Sequence, residues 1–190
     1  MRESIEFETP TWNQIHNMII KQSKKILSDK FTPDIIISIT RGGWIPARLL
    51  SDLLEINNLA TIKIEFYLDI GKTRKKPILT QKIQIPIAGK KILLVDDVTD
   101  TGASLLIAKN HILQKEVKEL KIATIYKKPQ SKTEPNYYVK STKKWIIFPW
   151  EIKETSTKLS NEEKKLIKIE ELGSKKDNST IKLVKKFLKE

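Results

Sequence analysis

The chain has 190 residues, with 36 Lys and Arg against 23 Asp and Glu, two histidines and no cysteine. The missing cysteines exclude disulfides, a thiol nucleophile and cysteine-ligated zinc or iron–sulfur chemistry, and His16 and His111 are too isolated for a histidine metal cluster. The net charge of +13 favours anionic partners (nucleic acid, anionic lipid or phosphorylated small molecules) without choosing among them.

This length predicts one domain with a short appendage, large enough to bury a core without covalent staples. The start, MRESIEFETPTW, has no basic segment followed by an apolar stretch. The longest apolar runs, Ile35–Ile37 and Ile92–Val95, fall far short of the ~18 residues that span a bilayer. The expectation is a soluble cytoplasmic protein without membrane contact.

In chain order, Thr9-Pro10 and the spacing of Trp12, Ile15, Ile19 and Ile26 predict a helix over Thr11–Leu27. Pro33-Asp34 then precedes a β-branched strand at Ile35–Ile39. After Thr40-Arg41-Gly42-Gly43, the apolar residues Ile45, Leu49, Leu50, Leu53 and Leu54 share one face of a helix over Ile45–Leu54. A strand follows at Thr61–Tyr67. Residues Leu68–Thr80 are polar, basic and aperiodic, and read as a long mobile loop. Strands are expected at Gln81–Ile85 and Lys91–Val95 around a turn at Pro86–Gly89, then a helix at Ala103–Gln114 and a strand at Leu120–Tyr126. A loop over Lys128–Asn136 leads to Tyr137-Tyr138-Val139 and the aromatic segment Trp145–Trp150. Strands alternating with helices define an α/β class with a mainly parallel sheet, whose ligands bind at the carboxyl ends of the strands.

Composition changes after Glu151. Residues 152–190 hold eleven Lys and seven Asp or Glu, with no Trp or Tyr. A capping box at Ser160–Glu163 and Gly173 as a C-cap predict a short helix over about 161–172. A second amphipathic segment carries Ile181, Val184, Phe187 and Leu188. The tail accounts for only +4 of the net charge. A Lys- and Glu-rich, cysteine-free surface is also what high-temperature proteins show, which is the better account of the excess.

The strongest chemical signal is Ile92-Leu93-Leu94-Val95-Asp96-Asp97-Val98-Thr99-Asp100-Thr101-Gly102-Ala103-Ser104. A buried strand ends in two adjacent carboxylates, and a Thr-Gly-Ala-Ser turn then opens a helix. Backbone N–H groups and the hydroxyls of Thr101 and Ser104 at a helix N-terminus make a phosphate cradle, and Gly102 permits close approach. The carboxylates can accept hydrogen bonds from vicinal hydroxyls or help hold Mg²⁺. Ribose 5-phosphate offers both a phosphate and a diol. A weaker signal is Ser38-Ile39-Thr40-Arg41-Gly42-Gly43, also between a strand and a helix. A third is Ile125-Tyr126-Lys127-Lys128-Pro129 followed by Trp145-Ile146-Ile147-Phe148-Pro149-Trp150-Glu151, where a cation and an aromatic plane would suit a purine.

The first stretch resembles the phosphoribosyl-pyrophosphate signature of the type I phosphoribosyltransferases: hydrophobic strand, Asp pair, third Asp and Thr-Gly-small-Ser turn. The third resembles the xanthine–guanine and hypoxanthine branch. The resemblance covers about residues 10–151. It implies a three-layer phosphoribosyltransferase-type α/β fold over residues 1–151, with a small hood and a basic helical extension at 152–190.

The activity implied is transfer of 5-phosphoribosyl from phosphoribosyl pyrophosphate to hypoxanthine, guanine or xanthine. A nucleoside 5′-monophosphate and pyrophosphate would be formed in purine salvage, by a Mg²⁺-dependent homodimer. Asp96 and Asp97 would hold the ribose diol, with Asp97 also touching the metal. Thr101, Gly102, Ala103 and Ser104 would take the 5′-phosphate. Thr40, Arg41, Gly42 and Gly43 would hold pyrophosphate, Arg41 stabilising its developing charge. Asp100 would be the general base. Lys128 would reach the base O6, Trp145 would stack, Ile146 would offer backbone contacts and Glu151 would lie near N2, where the family more often has Asp. The basic loop would close over the reaction, with Tyr67 as its principal residue. Thr40 stands where Ser is commoner, and Glu65-Phe66-Tyr67 replaces a Ser-Tyr pair. The competing expectation is a regulatory protein of the same fold that senses phosphoribosyl pyrophosphate or nucleotide and binds nucleic acid. The tail's mixed charge and the lack of a reading helix argue against nucleic acid.

Overall fold

The computed structural model describes residues 6–68, 75–158, 168–169 and 186. It contains β1 (Glu6–Glu8), α1 (Trp12–Ser28), β2 (Ile35–Thr40), α2 (Trp44–Leu53), β3 (Leu59–Leu68), β4 (Lys75–Gln81), β5 (Lys91–Thr99), α3 (Ala103–Leu113), β6 (Glu119–Lys127), β7 (Tyr137–Ser141), β8 (Trp145–Ile146), α4 (Ile152–Lys158) and β9 (Lys168–Ile169).

Residues 18–142 form one compact unit around a sheet of order β4-β3-β2-β5-β6-β7. All its pairings are parallel except β3 with β4. β2 is buried along its whole length, as a strand covered on both faces requires. Alternate residues Ile35, Ile37 and Ile39 join Ile62, Ile64, Ile92 and Leu94 in one cluster, to which α3 contributes Leu105, Ala108 and Ile112. On α1, Gln22 donates its amide to the carbonyls of Thr124 (2.7 Å) and Tyr137 (3.1 Å), satisfying backbone groups of β6 and β7. Connections leave β2 and β5 in opposite directions along the sheet. The crevice beyond their carboxyl ends is therefore a topological switch point, where open α/β sheets bind ligands.

The expected loop over Leu68–Thr80 is corrected at Leu68, which ends β3, and from Lys75 onward; its residues 69–74 lie outside the described residues. The strand expected over Gln81–Ile85 is corrected as well. Lys75–Gln81 is a strand, antiparallel to β3 and registered from Leu68↔Lys75 to Lys63↔Gln81. It is an edge strand with Lys76, Ile78 and Thr80 exposed, so it lacks the apolar alternation of a half-buried strand, and Pro77 is tolerated there. Residues 82–85 form no strand. Ile83 and Ile87 are nevertheless buried in the core, and their spacing imitates strand periodicity.

Residues 1–17 and 143–190 form a second unit. Its three-stranded parallel sheet has the order β8-β1-β9. Trp150 stacks on Phe148 with centroids 4.7 Å apart and meets Trp12 at 5.7 Å, so it is a packing aromatic. Of the helix expected over about 161–172, Lys168–Ile169 is a strand instead, pairing with Glu6–Phe7. The rest of that helix lies outside the described residues, as does the segment with Ile181, Val184, Phe187 and Leu188.

Candidate active site

At the end of β5 the chain turns through Asp100–Gly102 into α3. Gly102 has φ +83°, the left-handed conformation that glycine adopts at least cost. A Cβ there would lie 2.6 Å from the Thr133 nitrogen, so the position is closed sterically as well. No side chain caps α3, and the Ala103 N–H reaches only the Thr101 hydroxyl, at 3.4 Å. The opening turn of α3 thus presents amide donors and the positive end of its dipole. A cleft of about 250 Å³ sits over it. Asp96, Thr101, Gly102, Ala103 and Ser104, five of the six residues expected at the ribose phosphate, line this cleft together with Asp100, the expected general base.

Sequence reasoning missed Phe66, Val98, Thr99 and Leu105 in the lining. Phe66 is half-exposed on β3 opposite Pro77. Tyr67, the predicted loop residue, pairs in register with Lys76.

Asp97 faces elsewhere. Its Oδ1 accepts the Val98 N–H at 2.7 Å, and a Cβ on Gly42 would fall 2.6 Å from its Cγ. The carboxylate therefore occupies the space that Gly42 leaves open, and the two anion loops of the sequence meet there. Gly43 is equally constrained, since a Cβ would lie 2.6 Å from the Ile39 carbonyl oxygen. The Thr40–Arg41 peptide is cis. Thr40 is buried and donates its hydroxyl to the Ile62 carbonyl at 3.3 Å, while Arg41 is exposed.

Asp96 is buried and accepts the Asp97 N–H at 3.1 Å. Burial, with the charge of Asp97 beside it, pushes its carboxyl well above the ordinary carboxylate range, and the Asp97 N–H opposes this less strongly. A raised folded-state pKa supports folding below the unfolded value, and that support is lost as pH rises through the folded value. Asp96→Asn should therefore raise the thermal midpoint of the ligand-free protein at neutral pH while weakening ligand binding, as read by calorimetry. A lowered midpoint would contradict this account of Asp96.

The residues expected at the base divide between the two compact units. In the larger, Lys128 is buried, its N–H donating to the Thr99 carbonyl at 2.9 Å. In the smaller, Trp145 leaves 56% of its surface exposed, an available aromatic plane, while Ile146 is buried beside β1. Glu151 precedes α4, and its Oε1 accepts the Phe148 N–H at 3.4 Å.

Adjacent parallel strand ends carrying two anion loops, joined where Gly42 meets Asp97, define an α/β protein that binds a phosphorylated ligand across its switch point. Residues 11–157 match the phosphoribosyl transferase domain. The chain belongs to the phosphoribosyltransferase family. It is 32% identical over 143 residues to a xanthine-guanine phosphoribosyltransferase of Desulfotalea psychrophila, covering 74% of this chain and 84% of that one. To the protein of that name from Gluconobacter oxydans it is 27% identical over 154 residues, covering 78% and 87%. The crystal structure of a purine phosphoribosyltransferase from Pyrococcus horikoshii aligns with a TM-score of 0.69 at 39% identity, over 76% of this chain and 93% of that one.

Proposed function

We propose that this phosphoribosyltransferase is a Mg²⁺-dependent enzyme of purine salvage, joining a 6-oxopurine to phosphoribosyl pyrophosphate. The observation that carries the reading is the cleft over α3, where a phosphate cradle, the buried Asp96 and the exposed carboxylate of Asp100 share one lining. The relatives' names support a purine as the acceptor.

The 5′-phosphate sits on the N-terminus of α3, and the ribose hydroxyls donate to Asp96. Asp100 accepts the base's proton as the base attacks C1 and pyrophosphate leaves; in the reverse direction it returns that proton. The transition state has oxocarbenium character, as in other glycosyl transfers. Arg41 stabilises the charge developing on pyrophosphate, and Phe66 gives the cleft an apolar side. The hard oxygens of Asp97, and of Asp96 once ionised, fit Mg²⁺. Mg²⁺ is commonly bound through one or two carboxylates together with substrate phosphates. Bound there, Mg²⁺ would neutralise pyrophosphate charge as the bond to C1 breaks.

Lys128 donates to the purine O6, Ile146 offers backbone contacts, Glu151 reaches the N2 side and Trp145 stacks on the ring. The protein works in the cytoplasm as a homodimer, with phosphoribosyl pyrophosphate, purine base and nucleoside monophosphate as its partners and no nucleic acid among them. Assay of nucleotide formed from hypoxanthine, guanine, xanthine and adenine tests the reading. The three 6-oxopurines should react and adenine should not, because its amine cannot accept from Lys128; preference for adenine would overturn it. Trp145→Ala should raise KM for the purine roughly tenfold, from the ~1–3 kcal/mol of one stacked base. Because Trp145 is exposed, the thermal midpoint should barely move.

A further inference from the structure

The loop that follows β6 is laced to the phosphate loop that follows β5. Lys128 N–H donates to the Thr99 carbonyl at 2.9 Å and Lys132 N–H to the Thr101 carbonyl at 3.1 Å. Thr133 donates its hydroxyl to the Gly102 carbonyl at 2.9 Å, and the hydroxyls of Thr99 and Ser131 lie 2.6 Å apart. Between these attachments, the Gln130 amide donates to Asp100 Oδ1 at 2.8 Å. Gln130 is exposed and supports no core packing. Its amide partner is the carboxylate that the proposed chemistry uses.

We propose that Gln130 is a positioning residue that acts through Asp100. A carboxylate on an exposed loop turns freely about its side-chain bonds, and only one orientation aims an oxygen at the departing proton. Gln130 occupies Oδ1 with a neutral donor and so fixes the plane of the group, leaving Oδ2 for the base. An amide suits this task, because a cation there would pair with the carboxylate and weaken it as a base. Pinning residues 128 and 132 to the same loop keeps donor and acceptor moving together.

This inference rests on Asp100 being the general base, and a double-mutant cycle tests it. Gln130→Ala should lower kcat roughly tenfold, the size expected for a misaimed catalytic group, while KM for phosphoribosyl pyrophosphate stays within about twofold. Gln130→Glu, which replaces the donor by a second carboxylate, should fall at least as far. In an Asp100→Asn background, Gln130→Ala should cost nothing further, because the group it orients no longer accepts the proton. Equal losses in both backgrounds, no loss in either, or a loss confined to KM would each overturn the proposal. Wild-type transfer with a severely slowed Asp100→Asn enzyme, alongside unaffected Gln130 variants, would overturn this inference and leave the functional reading standing. No transfer by the wild type would overturn that reading itself.

Discussion

Asp100→Asn should lower turnover by about 10²–10⁴, the loss typical of a missing general acid–base group, while affinity for the ribose phosphate is largely kept. The asparagine is nearly isosteric and its oxygen can still accept the Gln130 amide. Asp100 is exposed on the loop before α3 and makes no core contact, so the thermal midpoint should stay close to wild type. What disappears is the capacity to take a proton from the attacking base. Single-turnover measurements separate the two consequences: binding persists and the chemical step slows. An Asp100→Asn enzyme with wild-type turnover would remove Asp100 from the mechanism.

Gly42→Ala should be comparably severe by a different route. The added methyl would lie 2.6 Å from the Asp97 Cγ, well inside van der Waals contact. Asp97 must rotate out of its position or the Thr40–Gly43 loop must withdraw, and a misplacement of about 1 Å at a reacting site can cost about 10²-fold in rate. The yielding group is a side chain near the carboxyl end of β5, so the fold survives while kcat/KM for phosphoribosyl pyrophosphate collapses. The clash also predicts its own relief: in an Asp97→Ala background, already impaired, Gly42→Ala should add little. A Gly42→Ala enzyme with unaltered kcat/KM would show that the two loops do not share this space during catalysis.

The parts of the fold that could be read in the sequence are those where one face or both faces of an element are buried. β2 and β5 stand out as apolar runs because the sheet covers them, and Gly102 marks the turn into α3 because the backbone there requires φ +83°. β4 was illegible because an edge strand exposing Lys76, Ile78 and Thr80 has no periodicity to detect. β1 and β9 are too short to carry a pattern, and they form by pairing in a sheet in which β1 lies between β8 and β9.

The site divides in a similar way. Asp96, Asp100 and the Thr101–Ser104 turn are contiguous, so their shared chemistry is visible as a motif. The seating of Gly42 against Asp97, and of Thr133 against Gly102, joins residues far apart in sequence and appears only once parallel strands bring their ends together. Gln130 carries no signal at all: an exposed glutamine after Lys-Pro is ordinary until its amide is seen on Asp100. Phe66 is not legible as a cleft residue because the pairing of β3 with β4, which places it opposite Pro77, carries no signal in the sequence.

The central claim is that one site binds phosphoribosyl pyrophosphate and transfers its sugar to a purine. Following pyrophosphate and nucleoside monophosphate together, in Mg²⁺ buffer with and without hypoxanthine, tests it most directly. The two products should appear in equal amounts, only when the base is present. Pyrophosphate released at the same rate without the base, or no product with hypoxanthine, guanine or xanthine, would contradict the account.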